Sequence, residues 1–434
     1  MSDPAPSDPS GLPARRAALE LLGAALARRN GLDEASRSAG FGRLDGRDRA
    51  FARALVLATL RHLGPIDRAL TARLKKTPPD AVVHILRLGL AQALVLKTPA
   101  FAAVGTSVDL AGALKETRPF KGLVNAILRA LTRDPPPMDE ATSLAPPWLM
   151  ARWQIAYGHD LAREIAATIA LEPETDLSLK DTAPGDLEGR LLPGGTFRTA
   201  LRGDVATWPG FAHGAWWVQD ASAAIPARVL DARPGEAVLD LCAAPGGKTL
   251  QLALAGASVV ALDRSADRLK RLSENLARMK LEAEVVVADA VTWPDMRVFD
   301  AVLLDAPCSA TGTFRRHPDV LWAAAPGDIA SLVRVQSQLL DASLARLKPG
   351  GRLVYCVCSL EPEEGEHQVA ALLARRTDVS LVPIDPGKVG APAAGLRADG
   401  TLRILPHHRE GGTDGFYIAQ LSKAESLVPV TPGG

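Results

Sequence analysis

A helical bundle, a small α+β connecting unit and a doubly wound, Rossmann-like α/β domain, in that order, form the multidomain fold this 434-residue sequence predicts. Three observations predict it. From Leu12 to Leu131 apolar residues recur at three- and four-residue spacing, the signature of amphipathic helices. The stretch "RDPPPMDEATSLAPP", rich in Pro and acid, then breaks the pattern. From about Leu230 continuous apolar runs alternate with helical segments, as in a mostly parallel sheet covered on both faces.

The bundle is expected over 12–135, behind a disordered lead-in over 1–11. The opening "MSDPAPSDPSGLP" has no basic start and no apolar core, so it does not read as a secretion signal. Four segments carry the helical period: "ARRAALELLGAALARR", "DRAFARALVLATLRHLG", "AVVHILRLGLAQALVL" and "KGLVNAILRALTR". Residues 1–133 hold 21 Lys and Arg against 11 Asp and Glu, a net of +10, while the rest of the chain holds 29 against 38, a net of −9. A basic front on a mildly acidic body suits a polyanionic partner, although a solvated Arg-rich helical surface has the same composition.

The connecting unit is expected over 146–220, with one or two helices in "WLMARWQIAYGHDLAREIAATIA", short strands such as "TDLSLK" and "TFRTALR", and an end near "AWWVQDAS". Over 221–434 the apolar runs "VLDLCA", "SVVALD", "EVVVAD", "FDAVLLDA" and "RLVYCV" read as strands. The helix "SADRLKRLSENLARMK" between two of them lines up Leu269, Leu272, Leu276 and Met279 on one face. No run is long enough to cross a bilayer, and four cysteines in so long a chain make no disulfide framework. A cytoplasmic protein is expected.

"DLCAAPGGKT" (240–249) takes a strand into a glycine turn that opens a helix. A triphosphate P-loop needs Gly six positions before its Lys, and six before Lys248 stands Cys242. The turn instead lets backbone approach a flat or extended ligand at the first strand of a doubly wound sheet. Asp263, Asp289 and Asp305 close the next three strands. Any one of them alone is as well explained as the start of a turn. Together they suggest a nucleoside-bearing cofactor, and a ring of acids suits a cationic sulfonium better than a pyrophosphate.

Two further strand ends carry thiols. Cys308 lies in "DAPCSATGTFRRHPDVLW" and Cys358 in "YCVCSLEPEE". If the strands before them are neighbours, the thiols emerge side by side. Methylation of an unactivated pyrimidine carbon needs such a pair: one thiolate adds at C6 to make C5 nucleophilic, and a second group assists when the C5 proton and the thiolate leave. Asp305, three residues before Cys308, is placed to stabilise charge at N3. The plainer alternative makes buried cysteines small hydrophobes, which is the reading for Cys242 and Cys356. Zinc would need clustered ligand pairs that are not there, so no metal is expected.

"DLCAAPGGKT", "DAPCSATGTFRRHPDVLW", "CSLEPEEGE" and "GTDGFYIAQL" resemble the motifs of the Sun-type RNA cytosine-5 methyltransferases. The Arg-rich helical front resembles the NusB-like RNA-binding domain that precedes the catalytic domain in the bacterial 16S ribosomal RNA members. The resemblance spans nearly the whole chain. It implies a class I methyltransferase domain that uses S-adenosylmethionine, acts on small-subunit ribosomal RNA and is a monomer. By motif it implies that Cys242, Ala243, Ala244, Pro245, Gly246, Gly247 and Lys248 line the cofactor, with Asp263 on the ribose, Asp289 near the adenine and Asp305 between cofactor and base. It implies Cys358 as nucleophile and Cys308 as the group that aids release. DNA cytosine methyltransferases attack from a "PC" cysteine, which makes Cys308 the runner-up. Val357 stands where the family usually has Thr. A rival of another class is an RNA-binding assembly factor that has lost activity, but nothing in such a protein would require Lys248, Asp305, Cys308 and Cys358 at one edge.

Three smaller expectations follow from the same stretches. Glu361, Glu363 and Glu364 are read as caps of the next helix. Arg315 and Arg316 are candidates for RNA phosphate contacts. Trp216 and Trp217 are read as core.

Overall fold

The computed structural model describes residues 11–27 and 31–425, so the expected lead-in lies, apart from Gly11, outside the described residues. The chain forms two compact units, one of Met1–Leu171 with Arg316–Ala324 and one of Glu172–Arg315 with Ala325–Gly434.

In the first unit the four periodic segments form the helices Leu12–Ala27, Gly46–Arg61, Asp80–Leu90 and Lys121–Arg133. Their apolar stripes meet in one core that includes Leu22, Leu60, Val82, Ile85 and Leu128. The last helix shows how the period works, burying Val124, Ile127, Leu128 and Leu131 on one face. Asp45 caps the second by accepting from the Asp48 N–H at 2.7 Å. This unit does not stop at the Pro-rich stretch. The helices Pro147–Tyr157 and His159–Ala167, read in sequence as part of the connecting unit, belong to it. Two contacts explain why: Gly64 lies so close to Ser143 that a Cβ there would stand 1.8 Å from its carbonyl oxygen, and Arg61 Nε donates to Leu171 O at 3.3 Å. The segment Arg316–Ala324, read as part of the catalytic domain, also belongs here. Trp322 packs against the helical core and donates from Nε1 to Leu60 O at 2.9 Å.

The second unit begins with a small antiparallel sheet of β1 (Thr175–Leu179), β2 (Arg190–Leu191), β3 (Thr196–Thr199) and β4 (Trp216–Val218), in the order β2-β3-β1-β4. Trp216 and Trp217 are buried, as read, with their indole N–H groups donating to Pro209 O and Gln219 Oε1 at 2.8 Å each.

The main sheet follows, with β5 (Ala237–Leu241), β6 (Ser258–Asp263), β7 (Glu284–Val287), β8 (Phe299–Asp305), β9 (Leu347–Val357), β10 (Val379–Val382), β11 (Leu402–Ile404) and β12 (Phe416–Lys423). Their order is β10-β12-β9-β8-β5-β6-β7, with β11 on β12. β5 through β9 run parallel, as the apolar runs predict, and β12 lies antiparallel to β9 and β10. The helix Ala266–Met279 buries Leu269, Leu272, Leu276 and Met279, the face read in sequence. Strand order reverses between β5 and β8, so the carboxyl ends of these two strands open the crevice in which such sheets bind ligands.

Candidate active site

β8 and β9 are parallel neighbours with Asp305 in register with Cys356. The chain leaving β8 reaches Cys308 three residues later, and the chain leaving β9 reaches Cys358 at once. Both thiols therefore come out at one edge, and a separation of fifty residues in sequence becomes 3.5 Å between sulfurs. The hydrogen bond with Cys358, together with burial, pushes the Cys308 thiol well above its ordinary range.

Lys248 enters from the turn after β5. Its Nζ donates to Asp305 Oδ2 at 2.7 Å and stands 5.4 Å from the centre of the Phe416 ring. Burial disfavours the ammonium, but the charge of Asp305 and the hydrogen bond to it outweigh this and raise its pKa above the usual value. Cys356 does more than the packing expected of it: its thiol donates to the other Asp305 oxygen at 3.4 Å. Burial and Asp305 push that thiol up, so it stays a donor. Asp305 is held from two sides at the crevice between β5 and β8.

The glycine turn sits on the other flank. Cys242 and Gly246 have φ of 60° and 107°, and a Cβ on Gly246 would stand 2.8 Å from Leu272 Cγ, so that position requires glycine. Ala243, Ala244 and Gly246 are buried, Cys242 and Gly247 partly so, and Pro245 is exposed. Burial pushes the Cys242 thiol up to about 12, leaving it the neutral small side chain the sequence suggests. Asp263 is buried at the end of β6, accepting from Ala244 N at 3.2 Å and Ser265 N at 2.8 Å, with Arg268 Nη1 3.7 Å from Oδ2 and Oδ1 retaining a second lone-pair direction. Asp289, past the end of β7, is exposed and uses Oδ1 to accept from Val291 N at 2.8 Å, the turn-starting role that a lone strand-end Asp suggests. The cradle thus joins a turn with room for close backbone approach to acids on both sides, a donor set that fits a nucleoside-bearing cation.

Beneath this cradle lies Asp240, fully buried, accepting from Thr249 Oγ1 at 2.6 Å. Burial pushes its carboxyl up to about 7. Between the ordinary carboxylate range and that value the folded chain holds a proton that the unfolded chain has lost, so stability falls as pH rises through this window and levels off above it. Asp240→Asn keeps an acceptor for Thr249 and removes the titration. Its melting temperature relative to the parent should therefore climb between about pH 5 and 7 and then plateau, with a gain of about 1 kcal/mol or more at the plateau, as thermal unfolding across pH will show.

Two expectations fail at the rim. Arg315 does not face solvent: it is fully buried and donates from Nη2 to the equally buried Asp220 at 2.8 Å, so it is not a phosphate contact. Arg316 is partly exposed. Nor do the acids after Cys358 cap the next helix. Glu361 and Glu364 are fully buried, and the helix Glu366–Arg375 starts with no side-chain cap. Glu364 instead reaches under both cysteine loops, a role whose only trace in sequence is the "CS" that recurs at both strand ends.

A family model described as 16S rRNA methyltransferase RsmB/F matches residues 227–422, and one for the NusB family matches 12–133. Ribosomal RNA small subunit methyltransferase B of Cronobacter sakazakii is 36% identical over 409 residues, covering 88% of this chain and 92% of the relative. The protein of the same name from Vibrio cholerae is 38% identical over 392 residues, covering 85% and 87%. Among solved structures, PH0851 aligns with a TM-score of 0.78 at 25% identity, covering 97% of this chain and all of that one. The structure of NSun6 from Pyrococcus horikoshii with SFG has a TM-score of 0.52 at 21% identity over 64% of this chain and 98% of that one, and so shares the fold of the catalytic part. With relatives this similar along almost their entire length, the chain belongs to the 16S rRNA methyltransferase RsmB/F family and carries a NusB-family domain at its front.

Proposed function

We propose that this ribosomal RNA methyltransferase transfers a methyl group from S-adenosylmethionine to C5 of a cytidine in 16S ribosomal RNA, through an intermediate in which Cys358 Sγ is bonded to C6. The observation that carries the reading is the pair of thiols 3.5 Å apart beside the Lys248–Asp305 ion pair. No zinc or other ion is needed by this chemistry. When bound, S-adenosylmethionine supplies an electrophilic methyl group. Residues 242–248 would offer it backbone, Asp263 would accept the ribose hydroxyls, and Asp289 would be the acid nearest the adenine.

The chain's own groups move the protons. The target base leaves its stack to reach the crevice. Cys358 gives up its thiol proton to solvent and bonds C6, the C5=C6 electrons shift into the ring, and N3 takes a proton from solvent through Asp305, which Lys248 and Cys356 hold in place. C5, now nucleophilic, takes the methyl and carries it beside its original hydrogen. Cys308 then donates its proton to the departing Cys358 sulfur and takes the C5 hydrogen as a proton. The C6–S bond breaks, C5=C6 re-forms, and the N3 proton leaves through Asp305 to solvent, one per turnover.

The basic helical front supports recognition of the RNA backbone. No helix among the described residues is long and apolar enough to cross a membrane, and the reading is of a cytoplasmic monomer.

The test is Cys308→Ala with unmodified small-subunit RNA and labelled cofactor. The variant should methylate in a first turnover and then accumulate a denaturant-resistant protein–RNA adduct, with steady turnover falling roughly 10²- to 10⁴-fold. Accumulation in Cys358→Ala instead moves the nucleophile to Cys308. Absence of label transfer by the unaltered protein leaves the assembly-factor reading.

A further inference from the structure

Under the two thiols lies a carboxylate that the chemistry above leaves unused. Glu364 is fully buried, on the chain that follows β9. Its Oε1 accepts from Ser309 N at 2.8 Å and from Gln336 Nε2 at 3.1 Å. Its Oε2 accepts from Ser359 Oγ at 2.5 Å and from Ser309 Oγ. Ser309 follows Cys308 in the chain and Ser359 follows Cys358, and the two hydroxyl oxygens lie 3.0 Å apart. One side chain thus grips the residue next to each thiol, with four donors on two oxygens.

Nothing in the sheet does this job. The β8–β9 ladder ends with Asp305 opposite Cys356, before either Cys308 or Cys358 is reached. Beyond it, among the described residues, two backbone bonds, Ala306 N to Cys356 O and Gly312 N to Cys358 O, each at 3.0 Å, join the two chains, and Leu360 N donates to Thr311 Oγ1 at 3.0 Å, but none of these holds the serine after either cysteine. A buried carboxylate that leaves its place abandons four donors, each costly to bury unpaired, so the grip is stiff. Its charge also acts on Cys308, as one of the influences that hold that thiol up, after the hydrogen bond with Cys358 and burial.

We infer that Glu364 is a positioning residue, which clamps the serine after each cysteine and so fixes the spacing of the two thiols for the release half of the reaction. The inference rests on the proposed assignment of release to Cys308.

Glu364→Gln keeps the shape and loses one acceptor and the charge. It should accumulate the same protein–RNA adduct as Cys308→Ala, lower kcat by roughly ten-fold or more, because small misplacements of reacting groups are costly, and leave KM for RNA within about two-fold. The double variant Cys308→Ala with Glu364→Gln should be no slower than Cys308→Ala alone, since the clamp has nothing left to position. A purely structural role predicts additive losses instead. Ser359→Ala, which removes one donor and spares the carboxylate, should show the same pattern at smaller size and stands in should Glu364→Gln not fold. Additive losses, unchanged turnover, or a rise in KM without adduct overturn the inference. If Cys308→Ala accumulates adduct and the clamp variants do not, this inference alone falls; if Cys308→Ala does not, the release assignment falls and takes the clamp with it.

Discussion

Under the proposed mechanism, replacing Cys358 with Ala is expected to abolish methyl transfer and covalent capture of RNA together. Without a bond at C6 the proposed target C5 remains part of an unactivated ring, and the other thiol of the crevice, Cys308, is assigned to release. Asp305 and Lys248 act on charge, not by adding to carbon. Loss of a nucleophile of this kind is expected to cost ~10⁴-fold or more in turnover, about 5.5 kcal/mol of barrier. The fold should hardly notice. Cys358 is only partly buried, its side-chain partner is Cys308, and Ala is close to it in size, so a stability cost of about 1 kcal/mol is expected. The measurements are label transfer in a single turnover, adduct on a denaturing gel and cofactor affinity, the last unchanged because the glycine turn is untouched. Capture that persists in Cys358→Ala would assign the attack to Cys308.

What sequence revealed of this site follows from how each part is encoded. Strand ends are local: apolar runs such as "FDAVLLDA" and "RLVYCV" show where β8 and β9 stop, and chemistry-bearing residues just beyond them are visible at once. Their convergence needed one further fact, that the two strands are neighbours, which the sequence left conditional and the β8–β9 pairing supplies. The antiparallel strands β10, β11 and β12 were not legible, because β11 has three residues and long Gly- and His-rich loops separate it from its partner. Roles made by distant pairing left almost no local trace. Cys356 reads as a small apolar residue until its register with Asp305 is known, and Glu364 reads as a helix-capping acid until Ser309, 55 residues away, is brought to it. The compact unit outruns the helical domain expected over 12–135, which the NusB family model matches over 12–133, for the same reason. Proline punctuates the chain after Arg133, but the unit closes where Ser143, Leu171 and Trp322 pack, and packing is not written in punctuation.

Arg315 carries the largest expected effect on stability. Its guanidinium and the Asp220 carboxylate are both wholly removed from solvent. Asp220 Oδ1 also accepts from Ser222 N at 2.8 Å, Asp414 N at 3.1 Å and Thr413 Oγ1 at 3.2 Å, so this acid ties the end of the small sheet to the loop before β12. Arg315→Met matches the length and apolar bulk of the side chain but leaves the carboxylate buried without its counter-ion, a change that costs roughly 3 to 5 kcal/mol. For a unit of this size the melting temperature should fall by roughly 6 to 20 °C. Adding Asp220→Asn removes the stranded charge while keeping an acceptor for Ser222, Thr413 and Asp414. The double variant should therefore be more stable than Arg315→Met alone, a coupling that two independent losses do not produce. The phosphate-contact expectation makes the opposite forecast: a normal melting temperature, and a salt dependence of RNA binding shallower by about 0.9 in the log–log slope, as for one lost phosphate contact. A thermal unfolding curve beside a salt titration of RNA affinity decides between them. An unchanged melting temperature with a shallower slope would mean that Arg315 leaves its pocket to meet RNA.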